Sequence, residues 1–121
     1  MRKSNMKTSQ VFAESGQRII NQLSIADGFF TRLVGLLSHD SLSTDEGLLI
    51  TQCKQVHTFF MRFPIDVLFL DKSKKVIGKE TLKPWRVSKI HFKADSVIEI
   101  QAGLAEKLGI KVGDKLGVPP C

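Results

Sequence analysis

Residues 65–82 read Ile65-Asp66-Val67-Leu68-Phe69-Leu70-Asp71-Lys72-Ser73-Lys74-Lys75-Val76-Ile77-Gly78-Lys79-Glu80-Thr81-Leu82, and this stretch decides the fold. Its first six residues are apolar on both faces apart from Asp66, the pattern of a central strand. Asp71–Lys74 is a polar turn, and Lys75–Leu82 returns as the hairpin partner until Pro84 breaks it.

Strand signals continue on either side. Toward the N-terminus, Val56–Met61 is β-branched and aromatic, and Leu48-Leu49-Ile50 is a short apolar run. Gln10–Ala13 and Arg18–Ile25 flank the Ser15-Gly16 turn as a hairpin. Between these regions Asp27 can cap a short helix in which Phe29, Phe30, Leu33, Leu36 and Leu37 recur at helical spacing. Ser38-His39-Asp40 ends it, and Ser41–Glu46 is a loop. Toward the C-terminus, Ser96–Ile100 alternates as a strand with one wet face. Leu104–Leu108 is a helical turn closed by Gly109, and Gly113-Asp114 leads into a last strand at Lys115–Val118. Short strands with frequent turns and no βαβ rhythm predict a mainly β fold: a β-sandwich or small, jelly-roll-like barrel with one or two short helices. Residues 1–8 read as a frayed tail and residues 9–121 as a single domain.

Composition narrows the class. The 121 residues are 42% hydrophobic and 25% charged, which suits one globular core and argues against disorder. No apolar run approaches the roughly 20 residues a membrane-spanning helix needs. The basic start MRKSNMKTSQ is not followed by an apolar signal region, so a cytoplasmic location is expected. Two cysteines, Cys53 and Cys121, fit reduced thiols better than a disulfide framework. The net charge is +6, and Lys72, Lys74, Lys75, Lys79, Lys83, Arg86, Lys89 and Lys93 are opposed within their stretch only by Glu80. Such a band can meet nucleic acid or an anionic surface, or simply guard exposed strands; no clustering of aromatics in the sequence favours the former.

Residues 53–66, CKQVHTFFMRFPID, carry the densest chemistry. Cys53, His57 and Met61 fall at intervals of four. On a strand that interval is about 13 Å, too far for ligands of one metal ion, and no metal or cofactor is expected. Cys53 follows an apolar run and reads as a small buried side chain, Met61 and both phenylalanines as core. Asp66 enters a strand that should be buried, so it needs a partner: Arg32, His57, Thr58 or backbone N–H groups. Arg32 lies on the otherwise apolar helix face with Leu33, Leu36 and Leu37. An Arg32–Asp66 clamp and a polar pocket of Arg32, His57, Thr58, Asp66 and Trp85 both remain open. Trp85, after Pro84 in a loop, reads either as a contact for a ligand or partner or as a lid over the core. Gly-rich phosphate loops, nucleophile elbows and paired Cys-x-x-Cys motifs are absent.

Arg32-x-x-Gly35-Leu36-Leu37, Glu46-Gly47-Leu48-Leu49 and Val56-His57-Thr58-Phe59-Phe60-Met61-x-x-Pro64-Ile65-Asp66-Val67-Leu68-Phe69-Leu70-Asp71 occur in that order. Val76-Ile77, Pro84-Trp85, Val97-Ile98-Glu99-Ile100-x-Ala102-Gly103 and Gly113-Asp114 follow. From Arg18 to Val118 this series resembles the prokaryotic family catalogued as domain of unknown function 192. The resemblance implies a small β-sandwich or jelly-roll-like domain with no assigned activity. It also implies exported or lipid-anchored relatives, and neighbours in secretion and pilus-assembly operons for the His57-Thr58 form. Many relatives read Phe-Trp-Met-Lys-Asn-Thr where this chain has Phe59-Phe60-Met61-Arg62-Phe63-Pro64.

Three functions follow as expectations. The first is a non-catalytic binding or accessory module for a protein or small ligand, using the pocket named above. The second is a small hydrolase with His57 as base and Asp66 as its orienter, which lacks an evident nucleophile or metal set. The third is binding of nucleic acid or an anionic surface through the lysine-rich band.

Overall fold

The computed structural model describes residues 8–26 and 42–118. Along them run β1 (Thr8–Ala13), β2 (Arg18–Ala26), β3 (Glu46–Thr51), β4 (Ile65–Leu70), β5 (Val76–Leu82), β6 (Ser96–Gln101) and β7 (Leu116–Gly117), with a short helix, α1 (Leu104–Lys107). The expected tail to residue 7, the Asp27-capped helix, Arg32 and Cys121 lie outside the described residues.

One sheet holds all these strands in the order β5-β4-β6-β3-β2-β1-β7. The β4–β5 hairpin forms as expected, and its register puts Asp66 opposite Thr81 and Phe69 opposite Gly78. Its turn is closed by Asp71, whose carboxylate accepts the Lys75 and Ser73 N–H groups and the Ser73 hydroxyl. The Lys75 amide, and then the Ser73 hydroxyl, hold the Asp71 carboxyl below its ordinary pKa. The β2–β3 pair is parallel, a feature the absence of βαβ rhythm did not suggest. A parallel pair needs a crossover of a dozen or more residues, and the chain between Ala26 and Glu46 supplies the length.

At one rim the two ends of the strand order meet. Lys75 bridges to Lys115, Val76 N–H donates to the Asp114 carbonyl and Leu116 N–H to the Lys74 carbonyl. The sheet therefore curls into a half-barrel. Its inside is filled by Val11, Ile20, Leu23, Leu49, Leu68, Leu70, Ile98 and Ile100, closed over by Leu104, Ala105, Ile110 and Leu116. The opposite face carries a second cluster of Leu48, Ile50, Ile65, Val67, Phe69 and Val97, roofed by Val56, Met61, Phe63 and Ala94 from two long connections. This two-sided cover corrects the reading of Ser96–Ile100 as half wet. Every residue of that run is buried, Ser96 and Glu99 included, because β6 sits between β4 and β3 with apolar layers on both faces. Alternation in sequence here marks polar groups taken into the interior, not a solvated face.

Residues 56–61 are the second correction, because they form no strand. Only His57 makes an isolated bridge, to Val87. Gln52 and Phe60 adopt left-handed backbone (φ 51° and 69°), which breaks strand geometry on either side of the bridge. The same roof contributes His91, whose ring stacks on Phe69 with centroids 3.8 Å apart and whose Nε2 lies 2.8 Å from Glu80 Oε2. Gly78 lies directly beneath, and a Cβ there would run into the imidazole. Gly78→Ala is expected to cost about 1–3 kcal/mol by overpacking. Urea unfolding should show most of that loss disappearing in a His91→Ala background; equal losses in both backgrounds would remove the contact as its cause.

Candidate functional site

Asp66 is 2% exposed, and its partners are now identified. Oδ1 accepts the Thr81 hydroxyl at 2.6 Å, and Oδ2 accepts the Gly103 and Ala105 N–H groups at 3.0 Å each. These amides belong to the start of α1, whose N-cap is a glycine with φ 87° and no side chain to cap with. Asp66 thus supplies from the sheet the cap that Gly103 lacks, and fastens α1 over the half-barrel's inside. Of the partners expected from sequence, the backbone N–H groups are the ones found; neither His57 nor Thr58 is among them.

His57 and Thr58 lie on the other side of β4, in the connection that roofs the second cluster. His57 Nδ1 accepts the Phe59 N–H, and the two rings stack at 4.7 Å. The base and orienter of the hydrolytic reading are therefore separated by the sheet. The polar pocket does not assemble as drawn: His57, Thr58 and Trp85 come together, Asp66 faces away, and Arg32 is outside the described residues. Cys53 is partly exposed, with its Sγ–H donating to the Gln55 carbonyl. Strand spacing does not apply to Cys53, His57 and Met61, since the segment is not a strand.

What does assemble is a ribbon of two connections, residues 52–64 and 83–95, running antiparallel. His91 N–H donates to the Lys54 carbonyl, Ser88 N–H to Val56 and Thr58 N–H to Arg86. Thr58, fully buried, is its anchor. The Thr58 carbonyl accepts the N–H groups of Met61 and Trp85, closing the Thr58–Met61 turn and binding the second connection to the first. Its hydroxyl donates to the Lys83 carbonyl at 2.6 Å and accepts the Arg86 N–H at 2.9 Å, and so sits between the two groups a closed β-turn would join directly. Phe60 and Trp85 occupy the third position of these two turns with φ of 69° and 64°, where a type II turn normally takes glycine. Pro84 at the second position fits the same turn type. Holding a bulky residue in this region costs on the order of 1–3 kcal/mol and persists only where surroundings enforce it.

The reward is display. Phe60 is 62% and Trp85 55% exposed, with ring centroids 4.7 Å apart, and Phe59 continues the cluster 5.9 Å from Trp85. Phe60 is thus not core, although Met61 and Phe63 beside it are. Val87, Ile90 and Phe92 are also exposed on the ribbon, so five of the seven exposed large apolar residues described lie here. Lys54, Arg62, Lys83, Arg86, Lys89 and Lys93 are interleaved with them, and the acid on these connections is Asp95, at the end of the second one next to β6. The basic band is therefore not one face. Lys83, Arg86, Lys89 and Lys93 belong to the ribbon, Lys74 and Lys75 to the closing rim, and Lys79 turns to the other side and donates to the Ile110 carbonyl. Lys72 joins Lys54, Lys93 and the 77%-exposed Phe92 at an open cleft of about 470 Å³, with Asp71 and Asp95 on its wall. Among the described residues, no three His, Cys, Asp or Glu side chains converge as a metal site would need, and no helix is long and apolar enough to cross a membrane.

Asp66→Ala is expected to lose about 3 kcal/mol in urea unfolding, because it leaves backbone donors of α1 unpaired. Asp66→Asn should lose only about 1 kcal/mol, since its amide oxygen can still face those donors and its NH2 group the Thr81 oxygen. Equal, negligible losses in both variants would exclude the fastening role.

The sequence profile of DUF192, described as uncharacterized ACR, matches residues 10–118. A UPF0127 protein of Pyrococcus furiosus is 34% identical over 104 residues, covering 84% of this chain and 90% of its own. A UPF0127 protein of Pyrococcus horikoshii is 35% identical over 98 residues, covering 78% and 85%. Among solved structures, a candidate transcription regulator from Sinorhizobium meliloti superposes with a TM-score of 0.81 at 20% identity, covering 96% of this chain and 97% of that one. A protein of unknown function from Novosphingobium aromaticivorans gives 0.76 at 22% identity over 93% and 85%. At these identities the two structures establish a shared fold.

Proposed function

The chain belongs to the DUF192 family, and we propose that it is a non-catalytic binding module that takes an anionic partner on the ribbon of residues 52–64 and 83–95. The observation that supports this reading is Phe60 and Trp85, two exposed aromatics held in left-handed backbone by a buried threonine. Both are more than half exposed, so folding alone gains little from burying them. Glycine would relieve the strain at either position, and a polar residue would serve an exposed surface better. Strained, exposed aromatics are a cost that a contact surface can repay. The six cations between them, against Asp95 on the same connections, set the partner's charge. The hydrolase alternative loses support from the engagement of Asp66 with α1. None of the relatives above is described in terms of secretion or pilus assembly.

Trp85 is the chain's single tryptophan, so its emission reports on this surface alone. Titration with heparin as a generic polyanion should protect Trp85 from iodide quenching and weaken steeply as salt rises. Joint Arg86→Glu and Lys89→Glu replacement should abolish the effect. Unchanged quenching at saturating heparin in low salt would refute the proposal.

Phe60→Gly separates the surface from the fold. We expect unfolding stability equal to the native protein or about 1 kcal/mol higher, with weaker partner binding. A clear loss of stability would show that Phe60 serves the fold instead.

A further inference from the structure

We infer that the anionic partner is a lipid bilayer surface, which the ribbon enters from one side without spanning; this rests on the binding-module reading above. The exposed residues of the second connection run Lys83, Trp85, Arg86, Val87, Lys89, Ile90, Phe92, Lys93, so that each apolar side chain has a cation beside it in sequence. Phe60 and Arg62 extend the same pattern from the first connection. The apolar members follow one another along the ribbon. Phe60 packs on Trp85, Trp85 on Phe59 and Phe59 on His57, which bridges to Val87. Beyond Val87, the Lys54–His91 backbone contact carries the ribbon on past Ile90 to Phe92.

Three features choose the bilayer over other polyanions. Val87 and Ile90 are 52% and 49% exposed, and aliphatic side chains offer nothing to a phosphate or to a stacked base. They do gain from the acyl boundary, where an interfacial segment buries its apolar side chains by about 5–10 Å. Four of the six ribbon cations are lysine, a residue depleted at protein–protein contacts. Long flexible stems suit lysine to anionic headgroups, since they can lie along apolar surface while the ammonium stays in the headgroup layer. Trp85 combines an apolar ring with an N–H donor, the combination enriched at the membrane–water boundary.

Vesicle sedimentation with native protein is the direct test, using phosphatidylcholine alone and a mixture with about one third phosphatidylglycerol. Binding should be at least about tenfold tighter to the anionic vesicles, and each Lys or Arg removed from the ribbon should weaken it roughly fivefold. Lipids brominated on their acyl chains should quench Trp85 emission. Phe92→Ser changes a side chain that is 77% exposed, so it should leave unfolding unaltered and weaken vesicle binding about tenfold. Equal partition to both vesicle types, or binding without bromine quenching, would overturn the inference. So would binding of a single-stranded DNA oligonucleotide in the absence of vesicle binding. If heparin protects Trp85 while vesicles do not bind, the bilayer inference falls and the binding-module reading stands; if heparin also fails, both fall.

Discussion

A single buried hydroxyl decides how one half of this molecule meets solvent. Thr58 Oγ1 stands between the Lys83 carbonyl and the Arg86 amide, while the Thr58 carbonyl takes the N–H groups of Met61 and Trp85. These bonds fix two turns against each other, and the turns fix the direction of every side chain around them. Val56, Met61 and Phe63 point inward and seal the apolar layer over β4 and β6. Phe60 and Trp85, at the third positions of the two turns, are left exposed to solvent. The seal and the display are thus one constraint seen from its two sides. A hydroxyl buried this deeply is tolerated because it both donates and accepts.

The opposite face of the sheet follows a similar logic with a different polar group. Asp66 is buried where a carboxylate would be costly, and the cost is met by a hydroxyl and two amides of a helix start. α1 is only four residues long and could not hold its own first turn. Its position over the inside of the half-barrel is set by the sheet, through Asp66, and by Leu104 and Ala105 packed beneath. Each face of β4 therefore carries a cover of irregular chain pinned by one buried polar residue.

The strands were legible because their apolar periodicity is strong. β1, β2, β4 and β5 lie within a residue or two of the expected bounds, as does α1. β6 was placed correctly and its environment was not: periodicity identifies a strand, but whether Ser96 and Glu99 face water depends on neighbours that come from β3, β4 and the roof. The 56–61 segment failed for a sharper reason. β-branched and aromatic residues favour strands on average, and nothing in Val-His-Thr-Phe-Phe-Met announces that Phe60 will take a glycine's backbone angle. The aromatic cluster was hidden in the same way, because Phe60 and Trp85 are 25 residues apart in sequence and meet only through Thr58. Asp66 needs a partner on sequence grounds and backbone N–H groups are among those expected, yet amides carry no sequence signature, so neither the Gly103 and Ala105 donors nor the Thr81 hydroxyl could be picked out.

The short β7 pairs with β1, Phe12 opposite Gly117 and Ala13 opposite Leu116, while also closing on the start of β5. A chain emerging in order from the ribosome makes β1 first and its partner last. Until residues near 117 are free, the outer edge of β1 has no strand to lie beside, and the inside of the half-barrel stays open at that rim. Contacts of such sequence separation slow folding, since the loop entropy must be lost before they can form. Closure of the half-barrel therefore waits for β7, and until then the growing chain carries an open sheet edge that invites strand pairing with other chains.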